Sequence, residues 1–195
     1  VIDSPDPIYE YGQEHLTESL SKNIKNIYPD ALEEVDQQLP KPLMPELSMT
    51  VFFNSDHAHD KITRRFVTGM IVALGWTPIL GKSKRQGSIE TSTYGAKFNA
   101  MRTTTEEVLS IRYMLRCLGV QVTRPTAVIG DNAAVIINAT IPESLLNKKH
   151  VAISYHKTWE CVAAGVVHPL KIDSKFNFAD ALTKPLSIKQ WRVWW

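Results

Sequence analysis

The sequence predicts an α/β fold built on one mixed five-stranded sheet, three antiparallel strands followed by two parallel ones, with helices on both faces. Three observations lead there. Met49–Phe53, Phe66–Leu74 and Thr77–Lys84 are strand-like and follow one another with no helix between them, as antiparallel neighbours do. Thr126–Ile129 and Val166–Ile172 are also strand-like, but each comes after a helical stretch, the spacing of parallel crossovers. Between the two groups, Tyr94, Phe98, Met101, Val108, Ile111, Leu115 and Leu118 recur at helical intervals, which predicts one long amphipathic helix over Thr91–Leu118.

Residues 1–47 read as an arm and linker. Asp3-Ser-Pro-Asp-Pro-Ile is loop-forming. Leu16, Leu20, Ile24 and Ile27 suit a short helix over 13–27. Pro40, Pro42 and Pro45 then mark an extended connector skirting the domain. The domain proper is 48–186. In it Gly69 is a candidate close-packing point, Gly75 sits in a tight connection and Gly119 ends the long helix. Gly130-Asp131-Asn132 closes the fourth strand and leads into a helix from Ala133; a further helix spans His150–Ala164. Phe178–Leu182 opens a last helix, limited by Pro185. Residues 187–195 form a Trp-rich tail. There are no repeats and no low-complexity tract.

With 195 residues, 44% of them hydrophobic, the chain suits one cored domain with an appended arm. Its 22 basic and 20 acidic residues leave +2, which neither demands nor excludes a nucleic-acid partner. No apolar run approaches the roughly 20 residues that cross a bilayer, so membrane insertion is not expected. Val1–Gly12 is acidic and Pro-containing, unlike a secretory or transit segment. Cys117 and Cys161 lack metal-ligand spacing. They read as two reduced, buried thiols in an intracellular, reducing compartment.

Asp131 ends a strand and Asp180 opens the last helix, places from which carboxylates hold divalent metals. Two-metal nucleases gather several carboxylates around ions about 3.5–4 Å apart. Two Asp residues alone are a weak signal, and by themselves read more readily as solvated loop and cap residues.

A resemblance adds context. Tyr28-Pro-Asp-Ala-Leu-Glu-Glu-Val with Pro40-Lys-Pro-Leu, Val67-Thr-Gly-Met-Ile, Pro78-Ile and Ser83-Lys-Arg-Gln succeed one another in order. Glu90-Thr-Ser-Thr-Tyr-Gly, Gly130-Asp-Asn, Asn147-Lys-Lys-His-Val-Ala-Ile-Ser-Tyr-His and Ala179-Asp-Ala-Leu-Thr-Lys-Pro-Leu continue the series. Together, over about Tyr28 to Leu186, they resemble the RNase H region at the end of copia-type retrotransposon Pol polyproteins. The resemblance implies an RNase H-like fold and, in active relatives, cleavage of an RNA strand by four acids and two Mg²⁺. Asp131 and Asp180 match the third and fourth acids. The first falls in Phe52-Phe53-Asn54-Ser55-Asp56, on Asn54. The second falls in Tyr94-Gly95-Ala96-Lys97-Phe98, on Lys97. Asn keeps one carbonyl oxygen but loses the charge, and Lys has no acceptor at all. The quartet therefore carries one net negative charge, too little to balance two Mg²⁺. The expectation is a degenerate site with no metal and no cofactor, in which the Lys97 ammonium lies near both Asp131 and Asp180 as their counter-ion.

Asp56 shares a strand face with Asn54, roughly 6.5–7 Å along it, but does not remove Lys97. Glu90 is usual in the resembling sequences and is no replacement. His57 and His59 beside Asp56 and Asp60 are ligand types for a metal cluster but read more readily as a metal-free loop, and His150 and His156 suit a structural role. Lys82, Lys84, Arg85, Lys148 and Lys149 are candidates for contact with a phosphate backbone. Trp191, Trp194 and Trp195 either fold back over the sheet or dock on a partner protein.

These readings converge on a catalytically inactive RNase H-like module serving as a structural or adaptor subunit of a larger assembly. The alternatives are a non-cleaving binder of RNA or RNA–DNA hybrid, a weak metal-dependent RNase H with a rearranged site, and a decayed element fragment with no selected function.

Overall fold

The computed structural model describes residues 24–56, 65–75, 77–87, 92–141 and 152–186. Its elements in chain order are α1 (Ile24–Ile27), β1 (Met49–Asp56), β2 (Val67–Leu74), β3 (Thr77–Arg85), α2 (Thr93–Cys117), β4 (Thr126–Gly130), α3 (Ala133–Thr140), α4 (Ala152–Ala163) and β5 (Val167–Lys171), followed by 3-10 turns at Ser174–Phe176 and Phe178–Leu182. The sheet runs β3-β2-β1-β4-β5. β1 and β3 flank β2 antiparallel, while β1–β4 and β4–β5 are parallel. This is the mixed five-stranded sheet the sequence predicts.

β1 is central, and its side chains are buried on both faces. Met49, Val51 and Phe53 join Met70, Val72 and Val128 in a core shared with Phe98 and Met101 of α2, Val135 of α3 and Trp159 of α4. Phe52, Ala127, Ile129 and Leu170 point the other way, against Ala179 and the rings of Phe176 and Phe178. Among the described residues, the three long helices share one face and the 3-10 turns cover the other. β1 extends past its apolar stretch to Asp56 because β2 stays paired with it to Val67; hydrogen bonding, not side-chain polarity, sets its length.

Ser92 caps α2 by accepting from Gly95 N at 3.1 Å, and Gly119, at φ 75°, follows the helix end. The last helix expected from Phe178 is a five-residue 3-10 turn, since Pro185 cannot continue a hydrogen-bonded ladder. The sequence-predicted helix over 13–27 is described only from Ile24, the rest lying outside the described residues. Cys117 is exposed and only Cys161 is buried, which corrects the expectation for the pair. Cys117 falls on the outer side of the last turn of α2. No helix among the described residues is long and apolar enough to cross a membrane.

The connector is fastened to the domain. Leu43 N donates to Gly119 O at 2.9 Å and Leu47 N to Gln121 O at 3.1 Å. Glu33 grips two arginines of α2, Arg112 (2.6 and 2.8 Å) and Arg116 (2.7 and 2.8 Å). Arg112 is 0% exposed and spends its remaining donors on Arg124 O, Thr126 Oγ1 and Val122 O, so the guanidinium is fully satisfied.

Candidate degenerate metal site

The end of β1, the end of β4, the first turns of α2 and the last 3-10 turn supply the four positions of the quartet. Asn54 and Asp180 are each 3% exposed, and the Asn54 amide donates to Asp180 Oδ1. The Asn54 carbonyl accepts from Ser55 N at 2.8 Å. The Lys97 ammonium bonds Asp131 Oδ1, with side-chain exposures of 17% and 10%. Asp180 takes a different cation, Lys184, at 2.7 Å. The expectation that Lys97 serves both carboxylates is therefore corrected: each Asp has its own lysine. Lys184 was legible as the i+4 partner of Asp180 in a helical turn. With it, the cluster of Asn54, Lys97, Asp131, Asp180 and Lys184 has no net charge.

Close backbone approach brings Asp180 to Asn54. Gly69 is the cross-strand partner of Asn54. A Cβ there would lie 2.7 Å from Thr183 Cγ2 and 2.9 Å from Ala179 O, so only glycine lets the 3-10 turn rest on β2. Asn177 ties the same turn to β1, donating to Phe53 O at 2.9 Å while accepting from Ala179 N at 3.1 Å. Ser83 Oγ donates to Leu182 O at 2.7 Å from β3. On the other side of the site, Gly130 leaves room for the Phe53 ring, 2.5 Å from where a Cβ would stand. Asn132 caps α3 by accepting from Val135 N at 3.1 Å.

This donor set does not fit a pair of divalent cations. Each of its two carboxylates already carries an ammonium, its amide is turned toward Asp180, and its fourth position is a cation. Among the described residues no three His, Cys, Asp or Glu side chains gather into a metal-holding group. Asp56, the last residue of β1, stays partly exposed.

Lys82 is committed to Glu107 at 2.5 Å. Lys84 and Arg85 are exposed and line a cleft against α2. His156 accepts or donates at 2.5 Å with the Tyr28 hydroxyl and stands edge-on to Trp159, a structural setting. Lys148, Lys149, Trp191, Trp194, Trp195, His57, His59, Asp60, Glu90 and His150 lie outside the described residues.

No protein-family profile matches the chain. Two curated relatives align with it over 141 residues, 72% of its length: the retrovirus-related Pol polyproteins from transposons RE1 and RE2 of Arabidopsis thaliana, at 33% and 30% identity. The chain spans only 10% of either polyprotein. Among solved structures, LC11-RNase H1 from compost superposes with a TM-score of 0.54 at 12% identity, over 70% of this chain and 92% of that one. The N-terminal RNase H domain of a Mycobacterium tuberculosis protein gives 0.51 at 10% identity, over 71% and 91%. LC11-RNase H1 is also known in complex with an RNA/DNA hybrid, and that structure likewise superposes with a TM-score of 0.54 at 11% identity, over 70% and 94%. At such identities the likeness speaks for fold. Taken with the two transposon relatives, it gives a chain with an RNase H-like fold whose sequence is similar to a part of retrovirus-related Pol polyproteins from transposons.

Proposed function

We propose that this domain does not cleave nucleic acid and acts as a non-catalytic RNase H-like module, a structural or adaptor piece of a larger assembly. One observation carries the loss of cleavage: the Lys97 ammonium is bonded to Asp131 where the resemblance puts an acid and a metal. An ammonium has three donors and no acceptor, so it holds the carboxylate without offering any ligand to a cation. An entering Mg²⁺ would have to take the carboxylate from it and leave the ammonium unpaired in a partly buried place, at a cost of about 1–3 kcal/mol. Lys184 belongs to the stretch that carries the family resemblance, so the departures are those at 54 and 97. The adaptor role is supported by the three-tryptophan tail, a composition suited to a protein interface.

A second reading, binding of RNA or an RNA–DNA hybrid without cutting, is favoured by the capture of LC11-RNase H1 with such a hybrid on the same fold. The deciding experiment is Mg²⁺- and Mn²⁺-dependent cleavage of a labelled hybrid by this chain and by an Asn54→Asp, Lys97→Glu double variant. An inert chain and a cutting variant support the reading. Cleavage by the chain itself, abolished by Asp131→Ala, would overturn it.

A further inference from the structure

We propose that the cleft between β3 and the flank of α2 is an oxyanion site for a single phosphate group, held by Lys84 and Arg102. Alternation along β3 turns Lys82, Lys84 and Gln86 to one side. Lys82 and Lys84 lie opposite the buried Met70 and Thr68, on the face that α2 covers. The outer two of these three positions are satisfied. Lys82 pairs with Glu107 at 2.5 Å. Gln86 donates to Thr68 Oγ1 and Ala96 O, both at 2.9 Å, and accepts from Asn99 Nδ2 at 3.3 Å. Lys84 between them makes no ion pair among the described residues. The acid lining the cleft, Glu106, is taken by Arg102 Nη1 at 2.8 Å.

Arg102 itself is only partly used. Its Nη2 reaches Asn99 Oδ1 at a weak 3.4 Å, and its buried Nε has no acceptor among the described residues. The cleft holds about 310 Å³, and among the described residues its lining brings Lys84 and Arg102 together with one acid, Glu106, so it is locally positive. Cations on two opposing walls ask for an anion with at least two acceptor oxygens, one for each wall. A phosphate group supplies them, as a monoester of about −1.5 to −2 charge with three strong acceptors or as a diester of one charge with two, matching an ammonium on one side and a guanidinium fork on the other. Its source is either a free phosphate compound or the phosphodiester of a nucleic acid. The site uses none of the quartet residues, so it stands or falls separately from the non-cleaving reading.

The test is an amide-resolved NMR titration of the full chain in chelator, first with inorganic phosphate and then with a short oligonucleotide. Shifts are expected at Lys84, Asn99 and Arg102. Lys84→Met and Arg102→Gln should each weaken binding about tenfold, as loss of one charge-assisted contact does. Lys82→Met should leave it unchanged, because its ammonium is already occupied, and Glu106→Gln should tighten it. Response to inorganic phosphate identifies a free phosphate compound as ligand. Response to the oligonucleotide alone identifies the phosphodiester backbone. Absence of shifts with both overturns the site, and so does equal weakening by Lys82→Met, which would reduce it to general surface charge.

Discussion

The Lys97 ammonium rests on the Asp131 carboxylate, joining the start of the long helix to the end of the fourth strand. Removing either partner leaves the other largely out of water. Lys97→Ala is expected to destabilise the fold by about 1–3 kcal/mol, and Asp131→Ala to lose less on top of it than alone. A double-mutant cycle in urea checks this; strict additivity would mean the two groups do not interact in solution. In the same site, Lys97→Glu should melt early in chelator and recover with millimolar Mg²⁺, which thermal unfolding reads without any cleavage assay.

Glu33 ties the connector to Arg112 and Arg116. Burial pushes its carboxyl up, but hydrogen bonds and charge from the two arginines outweigh that and lower its pKa from 4.5 to about 2. A depressed acid stabilises the fold above its unfolded value and loses that contribution as pH falls through the folded one. Stability from this group is thus present above pH 4.5 and drains away toward pH 2, by about 3 kcal/mol in all. Glu33→Gln should cost a similar amount at neutral pH and flatten the acid limb of the stability curve. An unchanged limb would show that the clamp contributes nothing.

Gly69→Ala places a methyl 2.7 Å from Thr183 and 2.9 Å from the Ala179 carbonyl. Overpacking of this kind costs about 1–3 kcal/mol. The strain should fall on the Phe178–Leu182 turn, so hydrogen exchange there is expected to speed up more than in α2. Equal protection across both segments would contradict the close-packing role.

The two thiols should react at very different rates. Cys117 is exposed, whereas burial pushes the Cys161 thiol up to about 11. A thiol-reactive dye at neutral pH is expected to label one cysteine quickly and the other only on unfolding. Cys117→Ser should abolish the fast phase; its persistence would place the reactive thiol at 161.

The strand order and the long helix were readable in the sequence because they depend on local alternation and on residues three and four apart. The quartet positions came from short stretches whose order matched a family, so Asn54 and Lys97 could be singled out one by one. How charge is shared among them depends on tertiary contact. The pairing of Lys97 with Asp131 alone, and of Asp180 with Asn54 and Lys184, follows from how Gly69 lets the last turn settle on the sheet. The same holds for Glu33. Nothing near it in sequence announces a partner, and only folding brings the connector to Arg112 and Arg116, 79 and 83 residues away. Local periodicity is a property of the chain's own neighbours, whereas an ion pair is chosen by which cation the packed elements bring within reach.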